Sequence, residues 1–127
     1  MVRHKIVAAA IVAAVLAGLS GQACAADAKG VWLRSEGTSR VKVAPCGAAL
    51  CGTVVWLKKT DGPGRVGERV FFDMKPSGAD TWEGSAFNPE DGRTYSGKME
   101  VSGNALTTTG CALGGMICKS VSWSRVN

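Results

Sequence analysis

Four cysteines carry the most reactive chemistry in this sequence: Cys46 and Cys51 in PCGAALCG, and Cys111 and Cys118 in CALGGMIC. Thiols in such pairs bind metal, exchange electrons or cross-link the chain. A structural zinc site needs four thiolate or imidazole ligands, usually with two to four residues between paired sulfurs. The chain's one histidine, His4, lies in its N-terminal leader. A thioredoxin-like dithiol has two intervening residues and opens a helix. Here four residues separate the first pair, and no helical pattern follows. Disulfides are the expectation. Crossed pairs would close loops of about 65 residues, worth roughly 4 kcal/mol each in the chain-entropy model, against roughly 2–2.5 for local ones. Proximity favours the local pairs Cys46–Cys51 and Cys111–Cys118, because each surrounds a turn-like segment whose stems a hairpin brings together. In either connectivity the bonds are structural.

Other groups offer less chemistry. Without a histidine after the leader, a Ser-His-Asp triad is excluded, and oxidised thiols remove a cysteine nucleophile. Ser96 and Lys98 share a strand face, but it is the polar, solvated one. Glu90 and Asp91 form a carboxylate pair, yet NPEDGRTY reads first as a turn, in which proline presets one dihedral and Asp and Gly stabilise the reversal. The protein is therefore expected not to be an enzyme, and no cofactor or metal is expected. Met74, Met99 and Met116 are too scattered for a copper site and read as core filler. Lys58, Lys59, Arg65 and Arg69 lie in or beside a Gly/Pro-rich loop, 60–68, which reads as a solvated surface loop or as a contact for an anionic group.

The first 25 residues read as a secretory signal peptide: Arg3, His4 and Lys5, then an uncharged run from Ile6 to Leu19, then Ala23-Cys24-Ala25 as a small-residue cleavage site. The apolar run is short for a membrane span, which needs about 20 residues. Lipidation of Cys24 is the rival reading, opposed by Gly21 and Gln22, which make a poor lipobox. Cleavage takes the formal charge from +5 to +3 by removing Arg3 and Lys5, and takes Cys24, leaving an even four cysteines. That points to the periplasm or secretion, and +3 is too modest to argue for nucleic acid.

The remaining residues, 26–127, read as one domain. Period-two alternation recurs along it. Val41 and Val43 alternate with Arg40 and Lys42. Val70, Phe72 and Met74 group in ERVFFDM. Tyr95, Gly97, Met99 and Val101 oppose Thr94, Ser96, Lys98 and Glu100. Turn signals at DGPG, PSG, NPEDG and SGN separate these runs. The fold class expected is all-β, an antiparallel meander of about eight strands closed into a small barrel, since closure removes exposed edges.

Closure has its own candidates. Gly30 and Trp32 stand in the first strand, and Val121, Trp123 and Arg125 share a face of the last. A bulky apolar face holding an arginine is explained by a guanidinium stacked on an indole, so Trp32 under Arg125 would join the two terminal strands. Gly30 would let the other backbone come close. The alternative is an Arg125 that points into solvent. Inside the barrel, Trp56, Phe72, Trp82 and Tyr95, with Phe87 beside them, would line a pocket for an apolar ligand, or pack the interior outright.

The Gly-x-Trp start with a late arginine resembles the calycin pattern of lipocalins and fatty-acid-binding proteins. GVWL, VAPCGAALCGTVVWLKK, FNPEDGRTYSGKMEV and WSRV, in this order, resemble the domain-of-unknown-function 2147 family of small exported bacterial proteins. The resemblance implies a lipocalin-like barrel and an exported protein, with no assigned activity. The expected partner is a small apolar or amphipathic molecule in the cell envelope, with no membrane span after signal removal. The alternative is a protein–protein module such as an envelope hydrolase inhibitor.

Overall fold

The computed structural model describes residues 26–127; residues 1–25, where the signal peptide and Cys24 are expected, lie outside the described residues. Eight strands follow one another: β1 (Gly30–Arg34), β2 (Ser39–Cys46), β3 (Ala49–Leu57), β4 (Arg69–Pro76), β5 (Thr81–Asn88), β6 (Arg93–Ser102), β7 (Ala105–Ala112) and β8 (Ile117–Arg125). Each pairs antiparallel with the next, and β8 returns to β1, closing the barrel. The only helical element among the described residues is a single 3-10 turn, Leu113–Gly115, between β7 and β8. The alternating runs form strands because their apolar residues recur with period two, which lets a strand, and not a helix, bury them all on one face.

The closing seam pairs Trp32 with Arg125 and Arg34 with Trp123. The Arg125 guanidinium stacks over the Trp32 ring, 4.2 Å from its centroid. Its Nη1 donates to the Lys29 carbonyl at 2.7 Å and its Nη2 to the Asp27 carbonyl at 2.6 Å. Trp32 is fully buried, and its Nε1 donates to the Ala28 carbonyl at 2.8 Å. One cation and one indole thus tie the segment before β1 across the barrel's end. Gly30 sits where a side chain cannot: a Cβ there would lie 2.6 Å from the Asn127 carbonyl oxygen and 2.9 Å from Arg125 Nη1. Its φ of 137° also suits glycine alone.

This makes the two ends unlike. At the closed end, Ala28, Trp32, Val43, Met74 and Met99 are buried beneath the N-terminal segment and the short β2–β3, β4–β5 and β6–β7 turns. At the open end lie the β1–β2 turn, the longer 58–68 connection, the 89–92 turn and the β7–β8 turn. The two disulfides divide between the ends. Cys46–Cys51 ties the β2–β3 hairpin, with Cα atoms 5.8 Å apart, and Cys111–Cys118 ties β7 to β8, at 4.1 Å. Each is the local pair.

Strict alternation fails on β3 and β4. Val41 pairs with Val54 but Arg40 with Trp56, so Val55 is an extra residue on β3. That bulge reverses the phase beyond Val54, turning Trp56 outward and Leu57 inward. On β4, Gly52 pairs with Phe71 and Thr53 with Arg69, leaving Val70 extra; Leu50 pairs with Met74, and a second extra residue lies between Phe71 and Met74. Asp73 there takes a left-handed φ of 50°. Phe71, not Phe72, therefore joins Val70 and Met74 in the core. Met74 and Met99 are core residues, whereas Met116 is 85 % exposed in the β7–β8 turn, because that turn projects past the barrel rim.

Candidate functional site

The open half of the barrel is hollow. A cavity of about 800 Å³ runs from the rim down to Trp123 and Phe71, with Val41, Val54, Val121 and Thr108 on its walls. These residues reach it because alternate positions of β2, β3, β7 and β8 point inward. Phe71 meets Trp123 edge to face, with centroids 6.3 Å apart. Trp123 Nε1 donates to Thr108 Oγ1 at 2.9 Å, so the indole's polar atom is satisfied within the wall. Space for the Phe71 ring comes from Gly52, where a Cβ would stand 2.6 Å from Phe71 Cδ2. The barrel is thus empty above the two aromatic rings and filled below them.

The rim is polar and mostly basic. Lys58, Lys59 and Lys119 reach the mouth, as do Glu90 and Asp91. Arg34 enters from β1, its guanidinium 6.0 Å from the Trp123 ring centroid and its Nε 2.9 Å from Glu36 Oε2. Ser35 and Arg34 hydrogen-bond the Glu36 carboxylate and hold its pKa below the usual range. The 58–68 connection is tied down: Gly67 N–H donates to the Val54 carbonyl, Val54 N–H to the Glu68 carbonyl, and Arg65 Nη1 to the Gly64 carbonyl at 2.8 Å.

Glu90 and Asp91 act as turn residues. Asn88 Oδ1 accepts from the Glu90 N–H at 3.0 Å, and Asp91 Oδ1 from the Arg93 N–H at 2.9 Å. The Tyr95 hydroxyl donates to Asp91 Oδ2. That bond lowers the Asp91 pKa and raises that of Tyr95. Ser96 and Lys98 pair with Ser85 and Glu83 on the outer face. Among the described residues, no cluster of His, Cys, Asp and Glu is arranged to hold a metal ion.

The four aromatics expected along one pocket fall in three places. Tyr95 lies at the cavity mouth, with Phe87 nearby. Trp82 is buried, but at the closed end, beside Met74 and Leu50 in a separate hollow of about 260 Å³. Trp56 is on the outer surface, 37 % exposed, with the Arg40 guanidinium 5.1 Å from its ring centroid. Phe72 faces outward opposite Ser85. The bulges on β3 and β4 account for both outward turns. Phe71 and Trp123 take the interior places instead. Trp123 was visible in the sequence as part of the Val121–Trp123–Arg125 face; Phe71 carried no signal, since only the bulges distinguish it from its neighbour.

Comparison with known proteins agrees with this architecture. A solved structure described as "Protein HP1028 from the human pathogen Helicobacter pylori belongs to the lipocalin family" superposes with a TM-score of 0.63, at 19% sequence identity, over 80% of this chain and 84% of that one. At that identity the likeness concerns the fold. No curated protein matches the chain. Among the described residues, no helix is long and apolar enough to cross a membrane. The sequence matches from residue 30 to residue 125, first strand to last, the family described as "Uncharacterized protein conserved in bacteria (DUF2147)", and the chain belongs to that family.

Proposed function

We propose that this protein is an exported, non-enzymatic binding protein that holds a small amphipathic molecule inside its barrel. One observation carries the reading: a cavity of about 800 Å³, apolar at its floor and polar at its rim. Ligand pockets of about 300–1,000 Å³ enclose most of a small molecule's surface, and this cavity falls within that range. The ligand's apolar part would lie on Phe71 and Trp123, between Val41, Val54 and Val121. Its polar part would sit at the mouth, beside Lys58, Lys59 and Tyr95. Two disulfides suit a protein that works outside the reducing cytoplasm, which supports the envelope as its place of action.

The test has two arms. Native mass spectrometry of protein purified from its own envelope should show a co-purifying mass of lipid size. Separately, the dye 1-anilinonaphthalene-8-sulfonate should bind the purified protein and lose binding in Val54→Trp, which fills the cavity from its wall. A bare chain with no dye binding, or dye binding untouched by Val54→Trp, would refute an interior site.

A further inference from the structure

The β7–β8 turn is unusual in what it displays. Leu113 is 70 % exposed, Met116 85 % and Ile117 61 %, three apolar side chains within five residues. The Cys111–Cys118 disulfide closes the base of this turn. Leu113 is held at φ 55°, in the left-handed region that a branched side chain rarely adopts. A turn that serves only to reverse the chain would place glycine or asparagine there and keep leucine out of water. A strained backbone that holds apolar side chains in solvent points to something they enter.

The surroundings identify the occupant. Ile117 and Lys119 both reach the cavity mouth, where Lys58 and Lys59 also stand. Among the described residues, no ion pair engages any of these three lysines. Of the two acids at the same mouth, Asp91 is engaged by Tyr95 and the Arg93 N–H. A small, rigid apolar tip flanked by free lysines matches a surface that is negative at its face and apolar just beneath. That is the profile of a bilayer containing anionic lipid, which takes apolar side chains below its headgroups and attracts basic residues at them.

We propose that the open end of the barrel docks on an anionic membrane surface, with Leu113 and Met116 inserted between headgroups and Lys58, Lys59 and Lys119 over them. The proposal stands on the turn and the lysines, independently of whether the interior holds a ligand. Docking in this pose would turn the mouth toward the bilayer.

Flotation with vesicles tests it, using the disulfide-bonded protein. The protein should float with phosphatidylglycerol/phosphatidylcholine vesicles at low salt, less so at high salt, and poorly with phosphatidylcholine alone. Leu113→Ser/Met116→Ser should weaken partitioning about tenfold or more, since each lost side chain removes buried apolar area. Lys58→Glu/Lys59→Glu should abolish the preference for phosphatidylglycerol. Both variants change exposed residues, and their near-UV circular dichroism should match that of the unaltered protein, so that a loss is not misfolding. The proposal is wrong if the unaltered protein stays in the dense bottom fraction at low salt, which would leave the tip for a protein partner. It is equally wrong if the Leu113/Met116 variant floats as well as the unaltered protein.

Discussion

Replacing Arg125 with alanine should cost the fold far more than removing a comparable surface arginine. The guanidinium makes two short donations, to the carbonyls of Lys29 and Asp27. Hydrogen bonds that involve a charged group contribute about 1.5–3 kcal/mol each. Arg125 is only half-buried, so water would reach part of the vacated space, and the lower figure applies. Two such bonds give about 3 kcal/mol, and the stack on Trp32 adds about 1 kcal/mol. The expected loss is about 4 kcal/mol, which for a domain near 100 residues lowers Tm by on the order of 20 °C. Arg125→Lys keeps the charge but loses the fork, so it should forfeit about half as much. Arg40→Ala is the control: its guanidinium also sits over an indole, at 5.1 Å, but on the outer surface, and it should cost less than about 1 kcal/mol. Urea unfolding followed by tryptophan fluorescence reads all three. Hydrogen exchange adds a local reading, because the Val31 and Val126 amides bond across the seam and should exchange faster once it loosens. If Arg125→Ala unfolds within about 0.5 kcal/mol of the unaltered protein, the clasp does not hold the barrel's end, and the reasoning fails.

Tyr95 is the chain's single tyrosine, so its titration can be read directly from phenolate absorbance. The Asp91 hydrogen bond raises its pKa, so the midpoint should lie above that of an ordinary phenol and return toward it in Asp91→Asn; an unmoved midpoint would refute that bond. The linkage runs both ways: the bond's contribution should fade as pH falls through the lowered Asp91 value and again as pH rises through the raised Tyr95 value, remaining intact between. Cys111→Ser/Cys118→Ser should lower stability by about 2.5 kcal/mol, the loop-closure value for so short a link, measured by urea unfolding. The same pair of substitutions should leave the closed-end clasp unaffected, because the Cys111–Cys118 bond ties the strand ends opposite Arg125.

Much of the architecture was legible because it follows from rules that act locally. Tyr95, Gly97, Met99 and Val101 alternate through β6 without interruption, and their inward face is the one the pattern assigns. The terminal strands were legible for a different reason. An arginine on the Val121–Trp123 face is costly unless something stacks on it, so Trp32 was the natural partner, and the two meet. The cavity lining was less legible, since one inserted residue exchanges the inner and outer faces of everything beyond it. Nothing in TVVWL marks Val55 as an extra residue, and nothing in RVFFD marks Val70; both are fixed by pairing with neighbouring strands. Asp73 is the one bulge with a local sign, since aspartate tolerates the left-handed conformation better than its neighbours do. Trp82 illustrates a further limit: alternation tells which face a residue takes but not which end of a barrel it reaches.

That difference between the ends bears on how the molecule works. A barrel filled throughout would need no clasp at one end, because side chains packed along its whole length would hold the strands together. Here the side chains of the upper half, Val41 and Val54 among them, pack as a wall and leave the centre open. Its walls enclose a cavity, and its largest apolar turn residues point into solvent. The strands must therefore be held elsewhere, and the stabilising contacts gather below: the fully buried Trp32, Met74 and Met99, the Arg125 fork, and the Cys46–Cys51 link. The Cys111–Cys118 link is the exception at the open end, and it stands where packing is thinnest, between the cavity wall and an exposed tip. Covalent closure there fixes the mouth without filling it. A barrel that holds a ligand, as proposed above, must be stable while leaving its interior vacant, and these residues would meet the two demands by separating them along the barrel axis.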